Sequence, residues 1–362
     1  MKKIILKDNL YIYIINMDKI NKVSVKLINY EKELGNSRLE FNLSGSNIDY
    51  VVANTIRRTI LSDVPIYAFN EFKFEKNTSV FHNNYLKLRF RHIPIWEIDN
   101  KLDFIEVDKP KDNVVEDELD LNNNEPEPDD VELDAGDTIN SSTLKQLTMY
   151  VNYKNKSKDI YTVSTNDAKF YYEQKLIKSP YKMAVPLVKL QPDQEIVFSA
   201  ITNVGVESMN AQYSAVSIVG YKQKDDTVEC KDLDFFLESR GQINEKRILN
   251  VAFINIERRL KNFLKNMKDI IEKNTNKDSL EGMIIINNED HTLGNLISRG
   301  MQQHKKISFA GYNMPHPLGN KVHLHYKLTS DKVDVKDVIQ DVVEYYLELF
   351  DDIQKGVNSV KI

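Results

Sequence analysis

Residues 289–299 read Glu-Asp-His-Thr-Leu-Gly-Asn-Leu-Ile-Ser-Arg, and the last five repeat a pattern found near the start of the chain. Residues 54–58 read Asn-Thr-Ile-Arg-Arg, so both stretches contain Asn-x-Ile-x-Arg, at a constant separation of 241 residues. Three matched positions are weak evidence alone. They gain weight because each stretch lies at the same place in a repeated order of predicted elements.

The elements around the N-terminal stretch are predicted in the order strand, helix, strand, strand and long helix. Alternating apolar residues predict a strand over 38–44. Apolar residues at helical spacing predict a helix over 48–60, which Pro65 ends. Ser46 and Asn47 are the candidate helix caps. Two more strands and a long amphipathic helix are predicted far downstream, at 213–220, at 232–238 and from about residue 245.

The C-terminal 80 residues repeat this order. An apolar strand at 283–286 precedes a helix that begins at Thr292. Two strands and a last amphipathic helix follow, at 307–311, at 321–329 and from about residue 333. Both ends of the chain are therefore predicted to contain the same structural module.

Between the first helix and the returning strands of the N-terminal copy lies a stretch of about 140 residues, which is strand-like and rich in turns. We interpret it as an inserted domain. Within it, residues 103–137 contain 15 acidic and 2 basic side chains, whereas the rest of the chain has a net charge of +8. Such a segment has too little apolar surface to offset the entropy of ordering, so 103–140 is predicted to be a flexible loop. Its residues 105–136 are predicted to be dispensable for folding.

Composition excludes several classes of protein. A single cysteine, Cys230, excludes a disulfide framework and a cysteine-only metal cage, so we expect no structural zinc. No apolar run reaches the ~18–20 residues that a membrane helix needs, and Lys7 and Asp8 interrupt the apolar start of the chain. The sequence contains no G-x-G pair, no phosphate-binding loop and no nucleophile elbow. We therefore predict no catalytic residues and no cofactor.

Two patterns could indicate metal binding. Asp130, Glu132 and Asp134 have calcium-loop spacing, but Ala135 and Ser141 occupy the positions where such a loop needs Gly and Glu. A solvated acidic loop is the better interpretation.

His323 and His325 are two residues apart, so they would share one face of a strand and could chelate zinc. Lys321 and Lys327 flank them and would repel a cation. We favour a strand whose solvent-facing side carries these four residues.

The quoted residues, together with Phe-Ala-Gly-Tyr-Asn-Met-Pro-His-Pro-Leu at 309–318, closely resemble the eleventh subunit of eukaryotic RNA polymerase II and archaeal subunit L. Residues 53–65, Ala-Asn-Thr-Ile-Arg-Arg-Thr-Ile-Leu-Ser-Asp-Val-Pro, are similar to the first helix of the third subunit, archaeal D and bacterial alpha. Residues 91–95 and 237–241 strengthen this match. The chain thus resembles a fusion of both subunits, as in large nucleocytoplasmic DNA viruses.

The resemblance implies an α+β fold with two dimerisation modules, each an antiparallel sheet with helices on one side. The first would comprise 20–64 and 209–275, interrupted by a β-rich domain at 65–208, and the second 280–362. Pairing the modules in an internal pseudo-dimer would bury the apolar helix faces that each leaves uncovered.

The resemblance also implies a function. The chain would be a non-catalytic scaffold that binds two large catalytic subunits and small polymerase subunits, and contacts DNA only through the complex. No membrane partner is expected. If viral, it would work in the cytoplasmic viral factory, and whether the virion carries it stays open at this point. If cellular, it would work in the nucleus. The candidate subunit-interface residues are Asn54, Arg57, Arg58, His291, Asn295, Arg299, Tyr312, Pro315 and His316.

We expect the arginines and the asparagines among these residues to have different roles. The apolar stripe of the first helix faces the core, so we expect Arg57 and Arg58 to point toward the large subunits. Asn54 and Asn295 are expected to satisfy backbone groups within each module.

Two alternatives remain at this point. A free-standing nucleic-acid-binding factor would need a concentrated basic face with aromatic residues, and none stands out in the sequence. A metal hydrolase would have to use His323 and His325, and its metal content would reveal it.

Overall fold

Sixteen strands and five helices are described in the computed structural model. In the first half of the chain they are β1 (Lys2–Ile5), β2 (Tyr11–Ile14), β3 (Ser24–Glu33), β4 (Asn36–Ser44), α1 (Tyr50–Ser62), β5 (Ile66–Asn77), α2 (Asn83–Arg91), β6 (Leu147–Lys154), β7 (Tyr161–Ser164), β8 (Ala168–Tyr172) and β9 (Lys175–Ile177). In the second half they are β10 (Pro186–Leu190), β11 (Glu195–Gly205), β12 (Val216–Gln223), β13 (Asp232–Ser239), α3 (Glu245–Asn274), β14 (Glu281–Asn287), α4 (His291–Gln303), β15 (Ile307–Asn313), β16 (Lys321–Leu328) and α5 (Val335–Ser359).

The structure describes residues 2–5, 11–14, 23–33, 36–96, 146–225, 230–274, 280–316 and 321–361. The acidic loop predicted at 103–140 lies outside them. None of the described helices is long and apolar enough to cross a membrane. The chain divides into one unit of residues 1–64, 216–239 and 244–362 and a second of residues 65–215 and 240–243.

The first unit contains both copies of the repeated element order. The N-terminal copy is β4–α1–β12–β13–α3 and the C-terminal copy is β14–α4–β15–β16–α5. Their antiparallel sheets have the strand orders β12-β13-β4-β3 and β15-β16-β14. The predicted α+β class and the five predicted elements of each copy are confirmed. Strand β3, which the sequence interpretation missed, extends only the N-terminal sheet.

The registers of the two sheets reveal a second repeat, separated by 91 residues. Residues 216–221 read Val-Ser-Ile-Val-Gly-Tyr and residues 307–312 read Ile-Ser-Phe-Ala-Gly-Tyr. Each stretch has a bulge after its first residue. The hydroxyl at the bulge donates to the neighbouring strand in both: Ser217 to the Glu238 carbonyl at 3.3 Å and Ser308 to the Lys327 carbonyl at 3.0 Å. The two modules therefore match in detail as well as in element order.

Helices of one copy pack against helices of the other. Helix α1 contacts α4, and α3 contacts α5. The apolar stripes buried in this way include Ile256 and Leu260 of α3 and Val342, Tyr346 and Leu349 of α5, all at most 2% exposed. Apolar residues at helical spacing thus form one hydrophobic core shared by the two copies.

The second unit is built on the antiparallel sheet β5-β11-β6-β8-β9, with β7 and β10 forming a separate pair. Its core includes the stacked rings of Phe198 and Phe90, and the partly buried Phe74 ring stacks on Phe198. Helix α2 was not predicted in this strand-rich region. It forms because Leu86 and Phe90, four residues apart, are both fully buried.

Candidate functional site

Helices α1 and α4, which carry the repeated Asn-x-Ile-x-Arg pattern, both begin at an aspartate cap. Asp49 Oδ1 accepts hydrogen bonds from the backbone N–H groups of Val51 and Val52, each at 3.0 Å. Asp290 Oδ1 accepts one from the Thr292 N–H at 2.8 Å. These carboxylates satisfy N–H groups that have no partner within the first turn of a helix. The two caps are separated by the same 241 residues as the pattern itself.

The assignment of Ser46 or Asn47 as the cap of α1 is therefore wrong. Ser46 Oγ donates to Asn47 Oδ1 at 2.6 Å, and Asn47 Nδ2 donates to Tyr345 Oη at 2.9 Å. Asp49 caps the helix because it directly precedes the first turn and its carboxylate reaches two N–H groups. The aspartates at matching positions before both helices could have been recognised as caps from the sequence repeat.

Each of these two helices also places an arginine on the cap of the other. Arg58 of α1 donates from Nε to Thr292 Oγ1 at 2.7 Å and from Nη2 to Asp290 Oδ2 at 3.4 Å. Arg299 of α4 donates from Nε to Asp49 Oδ2 at 3.2 Å. The two arginines are the last residues of the repeated pattern. The pattern thus encodes a reciprocal contact between α1 and α4.

This arrangement corrects the expectation for Arg58, which we predicted to point away from the paired modules. The Asp290 carboxylate and the Thr292 hydroxyl lie within its reach, so its guanidinium binds α4 instead. Arg57 differs: of the described residues, only Asn54 forms a hydrogen bond with its side chain, from Arg57 Nε to Asn54 Oδ1 at 3.0 Å. Asn54 therefore positions an arginine, whereas we expected it to satisfy the backbone.

Arg259 of α3 joins the same region from a third helix, and the sequence interpretation missed it. Its guanidinium contacts Asp63 Oδ2 at 3.3 Å, Glu289 Oε2 at 2.5 Å and Asp290 Oδ1 at 2.8 Å. Its side chain is 20% exposed. Asp63 follows α1, and Glu289 and Asp290 precede α4, so this one cation connects three helices. We call Arg259 and these three carboxylates the Arg259 cluster.

The electrostatics of the Arg259 cluster favour the charged forms. Burial alone would lower the pKa of Arg259, but the charges of Glu289, Asp290 and Asp63 outweigh it and raise that pKa above its usual value. Burial alone would raise the pKa of Asp290, but the Arg259 charge and the hydrogen bonds from Arg259 and Thr292 hold it well below its usual range. Arg259 and Asp290 are therefore both held in their charged forms at neutral pH, and their contact stabilises the folded state.

Helix α5 packs closely on α4 of its own copy and places the Tyr346 ring near Asp49, the α1 cap of the other copy. A Cβ at Gly300 of α4 would lie 2.5 Å from Val342 Cγ1 and 2.7 Å from Tyr346 Cε2, so only glycine permits this close packing. Burial, with a smaller contribution from the charge of Asp49, raises the pKa of Tyr346 well above its usual value. Asp49 thus lies among Arg299, α5 and the start of α1, buried between the two copies.

The remaining predicted interface residues lie near the beginning of α4 and the end of β15. The exposed His291 ring meets the partly buried Tyr312 ring edge-on, with 5.8 Å between centroids. Pro315 and His316 are exposed just after β15, and Asn295 is partly buried on α4. His291 and Tyr312 are brought together, and none of these five contacts Arg57 in the interactions that the structure shows.

His323 and His325, considered above as metal ligands, lie on the solvent-facing side of β16, as the favoured interpretation predicts. Val322, Leu324, Tyr326 and Leu328 are buried on the opposite face. His325 Nε2 lies 3.1 Å from Asn313 Oδ1. Across the described residues, no group of three or more His, Cys, Asp or Glu side chains is arranged to hold a metal ion.

Comparison with known proteins agrees with this geometry. A family model of the RNA polymerase Rpb3/Rpb11 dimerisation domain matches residues 281–356. The chain is 27% identical over 331 residues to a putative DNA-directed RNA polymerase subunit of Acanthamoeba polyphaga mimivirus. This alignment covers 86% of this chain and 88% of that protein. It is 30% identical over 126 residues to the probable RPAC2 subunit of RNA polymerases I and III of Caenorhabditis elegans, covering 35% of this chain and 80% of that protein. It is 40% identical over 67 residues to the probable RPB11 subunit of RNA polymerase II of Caenorhabditis briggsae, covering 18% of this chain and 54% of that protein.

The chain therefore belongs to the Rpb3/Rpb11 dimerisation family of RNA polymerase subunits. It is an assembly subunit of a multisubunit RNA polymerase and not a catalytic one. Within the family it is a fused, viral-type subunit, because the match to the mimivirus protein spans 86% of the chain.

Proposed function

We propose that the two copies form an internal pseudo-dimer that serves as the platform for the two large catalytic subunits of the polymerase. The single observation that carries this proposal is the reciprocal contact in which Arg58 binds the cap of α4 and Arg299 binds the cap of α1. Reciprocal contacts between equivalent residues are the signature of a two-fold interface. Two equivalent but non-identical outer surfaces then remain, one for each large subunit.

For the modules of this platform we keep the boundaries predicted from the sequence. The first module comprises 20–64 and 209–275, with 65–208 as an inserted β-rich domain, and the second comprises 280–362. Covalent linkage raises the effective concentration of one module near the other, so the pair forms without a separate bimolecular step. Small polymerase subunits bind the same platform, DNA is contacted only through the assembled enzyme, and the polymerase works in the cytoplasmic viral factory.

Arg57 and Arg58 have different roles, although the sequence analysis expected both to bind the large subunits. Arg58 stabilises the pseudo-dimer through Asp290, whereas the guanidinium of Arg57, oriented by Asn54, binds a carboxylate on a large subunit. His291, Pro315 and His316 are exposed on the second module and belong to its partner-facing surface.

We expect Arg57→Ala to weaken recruitment of a large subunit by about 2 kcal/mol or more, because a buried carboxylate on that subunit loses its partner. Arg57→Lys should restore little, since an ammonium cannot form two parallel hydrogen bonds. The measurement is the amount of each large subunit recovered with the tagged chain.

Arg58→Ala is the matched control in this experiment. It should lower the melting temperature of the isolated chain more than Arg57→Ala does, because it removes the contact with Asp290. Full recovery of both large subunits with Arg57→Ala would show that Arg57 does not contribute to their binding.

A further inference from the structure

Within the described part of the chain, one edge of strand β14 is unpaired where its counterpart in the first module is paired. In the first sheet, β4 lies between β13 and β3. In the second sheet, β14 pairs with β16 on one side, and no described strand pairs with its other side. The second module therefore lacks the position that β3 fills in the first.

The backbone direction of β14 shows which groups point to this edge. The Leu328 N–H donates to the Leu280 carbonyl at 2.8 Å. Because residues of an antiparallel ladder alternate in direction, Gly282, Ile284 and Ile286 also bond toward β16. The N–H and C=O groups of Met283 and Ile285 then point outward, as a template for another strand.

The side chains of β14 are apolar on both faces. Ile284 and Ile286 are buried against the helices, and Met283 and Ile285 are partly buried on the outer face. The equivalent outer positions of β4 hold the polar Glu40 and Asn42. A strand that is apolar on both faces is typical of sheets with both faces covered, and an uncovered apolar edge invites aggregation.

The outer face of the second sheet has an open hollow that spans its three strands. It has a volume of about 710 Å³, and its lining includes Met283 of β14, Lys327 of β16 and Phe309 of β15. Phe309 is 59% exposed. In the first module, the strand position equivalent to His325 holds Phe236, which Arg38 covers at 5.2 Å from the ring centroid. Ile218, the counterpart of Phe309 in the first sheet, is also exposed, so the two sheets differ in the pairing of β14 rather than at this position.

The missing strand cannot come from the chain that directly precedes β14. Strand β3 has ten residues and is followed almost at once by β4. Before β14, by contrast, helix α3 continues to Asn274, which leaves only residues 275–280. Six residues span at most about 20 Å and cannot run beside β14 and also turn back into it. The described strands β1 and β2 pair with each other.

We propose that the outer edge of β14 binds an extended segment of another polymerase subunit, which adds to the second sheet as an antiparallel strand in the position that β3 occupies in the first. This inference rests on the proposed function, which supplies the partner. Main-chain hydrogen bonds to Met283 and Ile285 provide the register, and apolar side chains of the incoming segment pack beside Met283 and Ile285 on the outer face.

The test compares Met283→Pro with Met283→Ala in the polymerase purified through the tagged full chain. Proline removes the outward N–H, and alanine keeps it while shortening the side chain. We expect Met283→Pro to reduce recovery of one other subunit by about tenfold or more, and Met283→Ala by less than about threefold. Equal recovery with both variants would contradict strand addition.

Hydrogen exchange of the wild-type chain keeps the test informative if the proline variant does not fold. The Met283 and Ile285 amides should exchange quickly in the isolated chain and become protected in the polymerase. Protection of these amides already in the isolated chain would contradict the proposal. If deleting residues 1–22 removes that protection, the chain's own N-terminal residues cover the edge, and if dilution removes it, a second copy does. A wild-type chain that recovers no polymerase subunit would instead contradict the proposed function.

Discussion

Replacing Arg259 with alanine should destabilise the isolated chain by about 3 kcal/mol at pH 7, close to the lower limit for breaking a buried ion pair. The value lies at that limit because the Arg259 side chain is still 20% exposed. Without the guanidinium, Asp63, Glu289 and Asp290 remain close together with no shared cation. Denaturant unfolding of the purified chain measures the change, and Arg258→Ala, an exposed neighbour on the same helix, is the matched control.

The pH dependence of this loss follows from the lowered pKa of Asp290. A carboxyl group whose pKa is lowered by folding stabilises the protein above its unfolded-state pKa of about 3.9 and loses that contribution as the pH falls toward the folded value. The difference between wild type and Arg259→Ala should therefore narrow below about pH 4. An Arg259→Ala chain as stable as Arg258→Ala at pH 7 would show that the Arg259 cluster does not stabilise the fold.

Residues 1–278 and 279–362, produced as separate pieces, should associate in a 1:1 complex with a dissociation constant of about 1 µM or below. The division lies between α3 and β14, so it interrupts neither element. Alone, the C-terminal piece would expose the apolar faces of α4 and α5 that contact α1 and α3 in the intact chain. Mixing the pieces and measuring the mass of the product gives the result.

A charge reversal tests whether the association uses the contact seen between α1 and α4. Arg299→Asp places a carboxylate beside the buried Asp49 and should weaken binding by about tenfold or more. Lys332→Asp makes the same change in charge at an exposed position before α5 and should have little effect. Two stable pieces that do not associate would exclude the pseudo-dimer.

Element order could be predicted from sequence because it depends on local periodicity. The amphipathic stripes of α3 and α5, and the alternation in β13 and β16, are visible in single segments of the chain. Strand β3 was missed because its apolar residues, including Leu27 and Ile28, are partly exposed and interrupted by a bulge. Helix α2 was missed because only Leu86 and Phe90 mark its buried face.

The site was predictable only where the repeat marks it. Arg58 and Arg299 were singled out as repeated residues, but their carboxylate partners lie 232 and 250 residues away in sequence, so their roles required the structure. Arg259 has no counterpart in the repeat and lies on a helix with many other charged residues. Nothing local distinguishes it from the exposed Arg258, since its carboxylates come from two other segments.

The assembly role can be tested by purifying the tagged full-length chain from cells in which its polymerase is produced, and identifying the co-purifying proteins by mass spectrometry. Two large polymerase subunits should be recovered stoichiometrically, also at salt concentrations that remove proteins bound only through nucleic acid. A chain recovered alone, or with nucleic acid but no large polymerase subunit, would contradict this role.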